Sequence, residues 1–261
     1  MRQKVQFFVA GVLALSLGSG QGAAFVEPVS SKPSPNKSGP IPSPQQQEEA
    51  KQLAVQAMRN QTALASFRHN TTILVTSVYT DGKKEGSTIK STGEYTKKGY
   101  HETSQLLDEE QEPLHKEIYY ADSHLYMGSQ EKGADGWQWK NMKTPQDYAV
   151  PAFEANVLPF PFSDVSQLRF TQVSPQRIAF HGQRKDQVPA SLASVTVEGT
   201  LTLDASKKRI VQACIKEKVM VNPNNKKAGP VRETITDRDV SFYDINEAIN
   251  IEVPQEAKNF K

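Results

Sequence analysis

The side chains in this sequence that could do chemistry are few and dispersed. Its five histidines are His69, His101, His115, His124 and His181, and its single cysteine is Cys214. None stands in an HExxH or CxxC arrangement, the spacings that bring metal ligands to one helix face or one turn. His115 and Glu117 share one face of a strand, and such a pair reads as solvated surface rather than as a metal site. Asp108-Glu109-Glu110 lacks the ligand spacing of a calcium loop and reads as a hairpin turn. No GxSxG, P-loop or GxGxxG occurs, so neither an activated nucleophile nor a nucleotide cofactor is indicated. Cys214 has no nearby base and reads as a small buried hydrophobe. Asp237-Arg238-Asp239 interrupts an apolar strand pattern and reads as a surface charge ladder or a bulge. The chain is therefore read as non-enzymatic, with no cofactor and no metal.

What remains is apolar surface. Trp137 and Trp139 are two residues apart, so on a strand both point to one face, either filling a core or lining a ligand groove. Phe153, Leu158, Phe160 and Phe162 lie in a prolyl apolar stretch that either covers something or packs as a loop. Met58 falls on the apolar side of a helix, where its flexible thioether suits a core or an adaptable lipid site. These seven residues are the candidate lining of a hydrophobic groove.

Stepping outward, 261 residues with 37% hydrophobic positions can bury a core of one or two domains, and 23% charged positions exclude a coiled coil or collagen. The mean hydropathy of -0.58 excludes repeated membrane spans. Residues 1–24 read as a secretory signal: Arg2 and Lys4 precede an uncharged apolar run from Val5 to Leu17, and small residues Gly22 and Ala24 follow. The alternative is an uncleaved N-terminal anchor. Without Arg2 and Lys4 the 31 basic residues become 29, equal to the 29 acidic ones, so no net basic field draws in nucleic acid. An exported chain with one cysteine has no internal disulfide and must rely on its core. Residues 25–47 hold six prolines among Ser, Lys and Gln, the composition of a tether.

The folded domain is expected over 48–261. From Glu48 to Phe67 apolar residues recur in steps of three and four, as on one face of a helix. Thereafter β-branched and aromatic runs alternate with turns such as Asp81-Gly82 and Ala121-Asp122-Ser123. The pattern predicts a mainly β, antiparallel fold of ten or eleven strands with one N-terminal helix. A sheet of that size curls or splits, and residues 143–165 are expected to form an irregular apolar insertion that covers the concave face.

The C-terminal third carries a telling order. Gly199-Thr200-Leu201-Thr202-Leu203-Asp204 and Arg209-Ile210-Val211 are followed by Val240-Ser241-Phe242-Tyr243-Asp244-Ile245-Asn246 and then Ile251-Glu252-Val253-Pro254. Together with Ile118-Tyr119-Tyr120, Leu125-Tyr126 and Trp137-Gln138-Trp139-Lys140, this resembles the LolA-like half-barrel superfamily (LolA/LolB, LppX/LprG-type and related extracytoplasmic lipoproteins). The resemblance covers about 48–258. It implies a curled antiparallel half-barrel whose concave face is covered by helices and binds acyl chains. Its implied role is a non-enzymatic carrier, outside the cytoplasm, of a lipid, a glycolipid or a lipidated partner. The alternative on the same fold is envelope-stress sensing through an envelope protein partner. The sequence departs from the lipoprotein members in lacking a lipidated cysteine, and no residue matches a functional position of the family.

Overall fold

Ser43 halts the proline-rich approach and starts a helix. In the computed structural model of the protein, the Ser43 hydroxyl accepts from the Gln46 amide at 3.3 Å, while the Ser43 amide donates to the Gln46 side chain at 2.8 Å. This reciprocal cap satisfies backbone donors that a helix start leaves unpaired, and Pro44 occupies a first-turn position where no donor is needed. The helix, α1, therefore runs Pro44–Thr62. It begins ahead of the expected Glu48, so residues 44–47 belong to it rather than to the tether. It ends before the expected Phe67 because Ser66 and Phe67 are drawn into the first strand, where the Ser66 carbonyl accepts from the Asn246 amide at 2.9 Å. The structure describes residues 42–108, 111–130, 136–144, 168–184, 191–206, 208–224 and 230–259. The expected signal segment and most of the tether lie outside them.

Eleven strands follow: β1 Ser66–Tyr79, β2 Lys84–Thr96, β3 Gly99–Asp108, β4 Gln111–Ala121, β5 His124–Gln130, β6 Gln138–Lys143, β7 Leu168–Ser174, β8 Arg177–Arg184, β9 Leu192–Leu203, β10 Ile210–Val221 and β11 Val231–Tyr243. A short helix, α2 (Gln255–Asn259), comes last. The strands form one antiparallel sheet in the order β6-β5-β4-β3-β2-β1-β11-β10-β9-β8-β7. Two meanders thus run outward from a central junction, where β1 pairs with β11 from Arg68↔Tyr243 to Tyr79↔Val231. Among the described residues β6 and β7 each have one strand neighbour, so the sheet is open there, as expected of a half-barrel. The chain between Lys143 and Leu168 joins these two opposite edges. Most of it, including Phe153, Leu158, Phe160 and Phe162, lies outside the described residues.

Turn chemistry holds the register. Asp122 and Ser123 both adopt positive φ, 51° and 61°, the geometry of a tight β4–β5 hairpin. Asp204, ending β9, accepts from the Lys208 amide at 2.9 Å and from Arg209 Nε at 2.8 Å, which fixes the turn into β10. After β11, Asp244 and Asn246 turn the chain with φ of 47° and 63°. Asp244 then accepts from Arg68 at 2.8 Å, and Asn246 Oδ1 accepts from the Ala65 amide at 3.2 Å. The Asp-x-Asn motif thus clasps the end of β11 to the start of β1.

Because successive strand residues alternate sides, register assigns every side chain to a face. The inner face carries Phe67, Tyr95, Tyr100, Tyr120 and Leu125 in one row across β1–β5. It continues through Phe242, Val240, Ala213, Leu201, Ile178 and Phe170, and α1 lays its buried Ala50, Ala54 and Ala57 on this cluster. The alanines let the helix backbone approach the sheet closely. The outer face has its own smaller cluster of Tyr119, Tyr126 and Trp139, covered by Val253 and Ala257 of the C-terminal segment.

Asp237-Arg238-Asp239 is neither a bulge nor wholly a surface ladder. β11 runs through it in unbroken register. Asp237 and Asp239 face outward, where Lys216 Nζ lies 3.5 Å from Asp237 and Gln212 donates to Asp239 at 3.0 Å. Arg238 faces inward with Val240 and Phe242.

The outer cluster rests on two aromatic rings fitted over a glycine. A Cβ at Gly128 would come within 2.8 Å of the Trp139 ring and 2.9 Å of Trp137. Trp139 is buried to 3% exposure. Trp139→Ala should lower the unfolding free energy by about 3 kcal/mol or more, the usual cost of emptying an aromatic core site. The measurement is a urea titration at constant slope, and a midpoint equal to the wild type contradicts a packed outer core.

Candidate ligand-binding face

Burial on the inner face falls steadily from row to row. The first row is sealed: Phe67 and Tyr100 are fully buried and Tyr95 is 1% exposed. Phe67 stacks on Tyr95 with ring centroids 4.7 Å apart and meets Phe242 edge-on at 5.6 Å. The next row holds His69, Gly93, Glu102, Ile118 and Met127, and the one after it Thr71, Ser91, Ser104 and Lys116. Beyond them come Arg238, Ile73, Ile89 and Leu106, then Thr236, Val75 and Ser87. Ile73, Val75, Ile89, Leu106, Ile118 and Met127 are all only half-buried. Ile118 and Met127, on β4 and β5, pack against the inner cluster, whereas Ile73, Val75, Ile89 and Leu106 lie on β1, β2 and β3, in the middle of the sheet.

Between the sealed aromatic row and the half-open apolar row runs a polar belt. His69 is fully buried, with Nδ1 3.2 Å from Thr71 Oγ1 and Nε2 3.5 Å from the Tyr100 hydroxyl. Burial penalises the imidazolium and pushes its pKa down to about 4, so the ring is neutral at pH 7. Gly93 makes room for it, since a Cβ there would fall 2.1 Å from His69 Nε2. The Tyr100 hydroxyl donates to the Glu102 carboxylate. Burial raises the Glu102 pKa, while hydrogen bonds from Tyr100 and Ser91 oppose the rise. Arg238 completes the belt. Burial brings its guanidinium down to about 10, with Glu217, Glu102 and Tyr100 resisting through space.

The structure separates the residues that the sequence suggested as one groove. Met58 packs against the inner cluster. Trp137 and Trp139 do share a face, as their spacing requires, with rings 5.7 Å apart. That face is the outer one, because Trp139 pairs with Gly128, and Gly128 with Glu117, on the side opposite Met127 and Ile118. Phe153, Leu158, Phe160 and Phe162 cannot be compared, lying outside the described residues. His69, Glu102 and Arg238 were not singled out as ligand-facing. Counting back by twos from Phe242 and Val240 would have placed Arg238 among inward residues.

The outer face offers little reactive chemistry. His101 stacks on Tyr119 at 4.2 Å, with Nδ1 3.7 Å from Glu94, and Arg68 donates to Glu94 at 2.8 Å. Burial pushes the Cys214 thiol up, away from the thiolate a nucleophile needs. Among the described residues no three His, Cys, Asp or Glu side chains are placed to hold a metal ion. No helix among them is long and apolar enough to cross a membrane.

His69 generates a pH signature. Its folded pKa is depressed from 6.5 to about 4, so below pH 6.5 the unfolded chain takes up a proton that the folded chain refuses. The stability contributed by the neutral ring is full above pH 6.5 and is lost as pH falls toward 4, by about 2 kcal/mol at pH 4.5. Glu102, raised by burial, works in the opposite direction and gains as pH falls. Urea midpoints of wild type and His69→Gln at pH 7 and 4.5 test this. The wild type should lose more stability on acidification than the variant, and parallel losses contradict the assignment.

No family model matches the chain, and no curated protein matches it. Among solved structures it is similar to a LolA superfamily protein from Nitrosomonas europaea, at 10% identity and a TM-score of 0.26, covering 79% of this chain and 96% of that one. It is also similar to a putative outer membrane lipoprotein-sorting protein domain from Vibrio parahaemolyticus, at 8% identity and a TM-score of 0.25, covering 81% and 97%. A lower-scoring likeness is to GphF Dehydratase 1, at 8% identity and a TM-score of 0.16, covering 66% and 76%.

Proposed function

We propose that the protein is a non-enzymatic carrier that holds a hydrophobic ligand, a lipid or the acyl part of a lipidated partner, on the inner face of its half-barrel. One observation carries this reading: Ile73, Val75, Ile89 and Leu106 are half-buried on the inner face of β1, β2 and β3, in the middle of the sheet. Apolar side chains at the centre of an antiparallel sheet are normally sealed by a second layer. Among the described residues α1 packs chiefly on β7 and less on β10, and the Ile73, Val75, Ile89 and Leu106 side chains stay half-buried. The LolA-like motifs imply the same role, and the expected signal at 1–24 would place it outside the cytoplasm.

The reading is tested on the purified protein by native mass spectrometry before and after solvent extraction. The expected result is a lipid-sized adduct, or uptake of a fluorescent fatty acid with a single saturable site. Ile89→Lys, which sets a charge in the half-open row, should weaken that uptake by about tenfold or more while the protein stays folded by circular dichroism. Absence of both adduct and uptake in the wild type contradicts the reading.

A further inference from the structure

Arg238 is the anomaly of the inner face. Its register neighbours are Ile215 on β10 and Ile73 on β1. Its Nε is buried without a hydrogen-bond partner, and among the described residues the guanidinium makes no ion pair. Two carboxylates lie on the same face, yet neither satisfies it. Glu102 is taken by Tyr100 and Ser91, and Glu217 and Glu102 reach the arginine only through space. A guanidinium presents five donors and cannot shed its charge near neutral pH, so burying it unpaired is costly. Such a site gains most from an anion that arrives with the ligand, because a charge-assisted contact would satisfy the Nε donor, which is buried without a partner.

The surroundings say where the rest of the ligand lies. On one side of Arg238 the row is closed: Ile215 is 7% exposed, and the space beside Gly199 is filled by the Phe180 ring, 2.6 Å from where a Cβ would stand. On the other side the row continues through Ile73, Ile89 and Leu106, all half-buried. Three strand spacings separate Arg238 from Leu106, about 14 Å of apolar track. The track is bordered by the polar row of Thr71, Ser91, Ser104 and Lys116.

We propose that the ligand is an amphiphile with an anionic head, a carboxylate or a phosphate, seated on the Arg238 guanidinium, with its apolar chain along Ile73, Ile89 and Leu106. This rests on the carrier reading and specifies the head group that the carrier selects. Tyr100 and Ser91 hold the Glu102 carboxylate by hydrogen bonds.

The test titrates the purified, delipidated full-length protein with oleate, dioleoyl phosphatidate and oleyl alcohol, using native mass spectrometry competition. Oleate or phosphatidate should bind about tenfold or more tightly than oleyl alcohol, the scale of a charged hydrogen bond. Oleyl phosphate, which carries the same single chain as oleate, is compared with it, and the tighter of these two identifies the head as carboxylate or phosphate. Arg238→Met should abolish the preference while leaving oleyl alcohol binding within about twofold, and Arg238→Lys should retain part of it. Thermal melting without ligand checks that each variant folds, and Arg238→Lys, which keeps the positive charge beside Glu102 and Glu217, serves as the control if Arg238→Met melts lower. Equal affinity for acid and alcohol, or a preference that survives in Arg238→Met, overturns the head-group assignment and leaves the carrier reading standing. Failure of every probe to bind the wild type overturns both.

Discussion

The pairing of β1 with β11 is the constraint on which the rest of the structure depends. It joins the two meanders into one sheet, and its register decides which side chains look toward α1 and which look away. A slip of one residue would turn β11 over relative to β1, carrying Arg238, Val240 and Phe242 to the outer face and bringing Asp237 and Asp239 inside, onto the face of Phe67 and His69. The clasp of Arg68 with Glu94 and Asp244, each at 2.8 Å, together with Asn246 on Ala65, opposes that slip at the end of the junction where chain entry and exit meet. These ion pairs are half-exposed and individually weak. Their value is geometric: they specify one register among two that would each form a ladder of hydrogen bonds.

Given that register, the inner face grades from a sealed aromatic layer to a half-open aliphatic one, with polar groups between. The aromatic row contributes the cohesion of a core without needing a second sheet. The polar belt is tolerated because nearly every member has a partner: Thr71 and Tyr100 for His69, Tyr100 and Ser91 for Glu102. Arg238 stands apart, buried at Nε without one. A chain selected only for stability would replace such a charge with an apolar residue of similar volume. Retaining it beside an open apolar track gives a surface that distinguishes one end of a bound amphiphile from the other.

Much of this architecture was legible in the sequence. Short alternating strands with Asp-Gly and Asp-Ser turns foretold an antiparallel meander, and the described residues form eleven strands. The helix was visible from Ala50, Ala54 and Ala57, but its start was not. Ser43 and Gln46 form a capping box inside a proline-rich run whose composition suggested only a tether. The site was less legible, because a strand pattern shows which residues share a face but not which face lies beneath the helix. That ambiguity grouped Trp137 and Trp139 with Met58, whereas the pairing of Gly128 with Trp139 puts the tryptophans under the C-terminal segment. The charges around Arg238 suggested surface, since a buried arginine is exceptional without a partner. Only the uninterrupted register of β11 shows it pointing inward.

In the proposed carrier the inner face, not the tryptophan-bearing outer face, holds the ligand. Photo-crosslinking with a diazirine-bearing fatty acid, followed by peptide mapping, addresses it most directly. The account predicts labels on β1, β2 and β3 at Ile73, Ile89 and Leu106, competed away by oleate. Labelling concentrated at Trp137, Trp139 or the Val253 segment would contradict it.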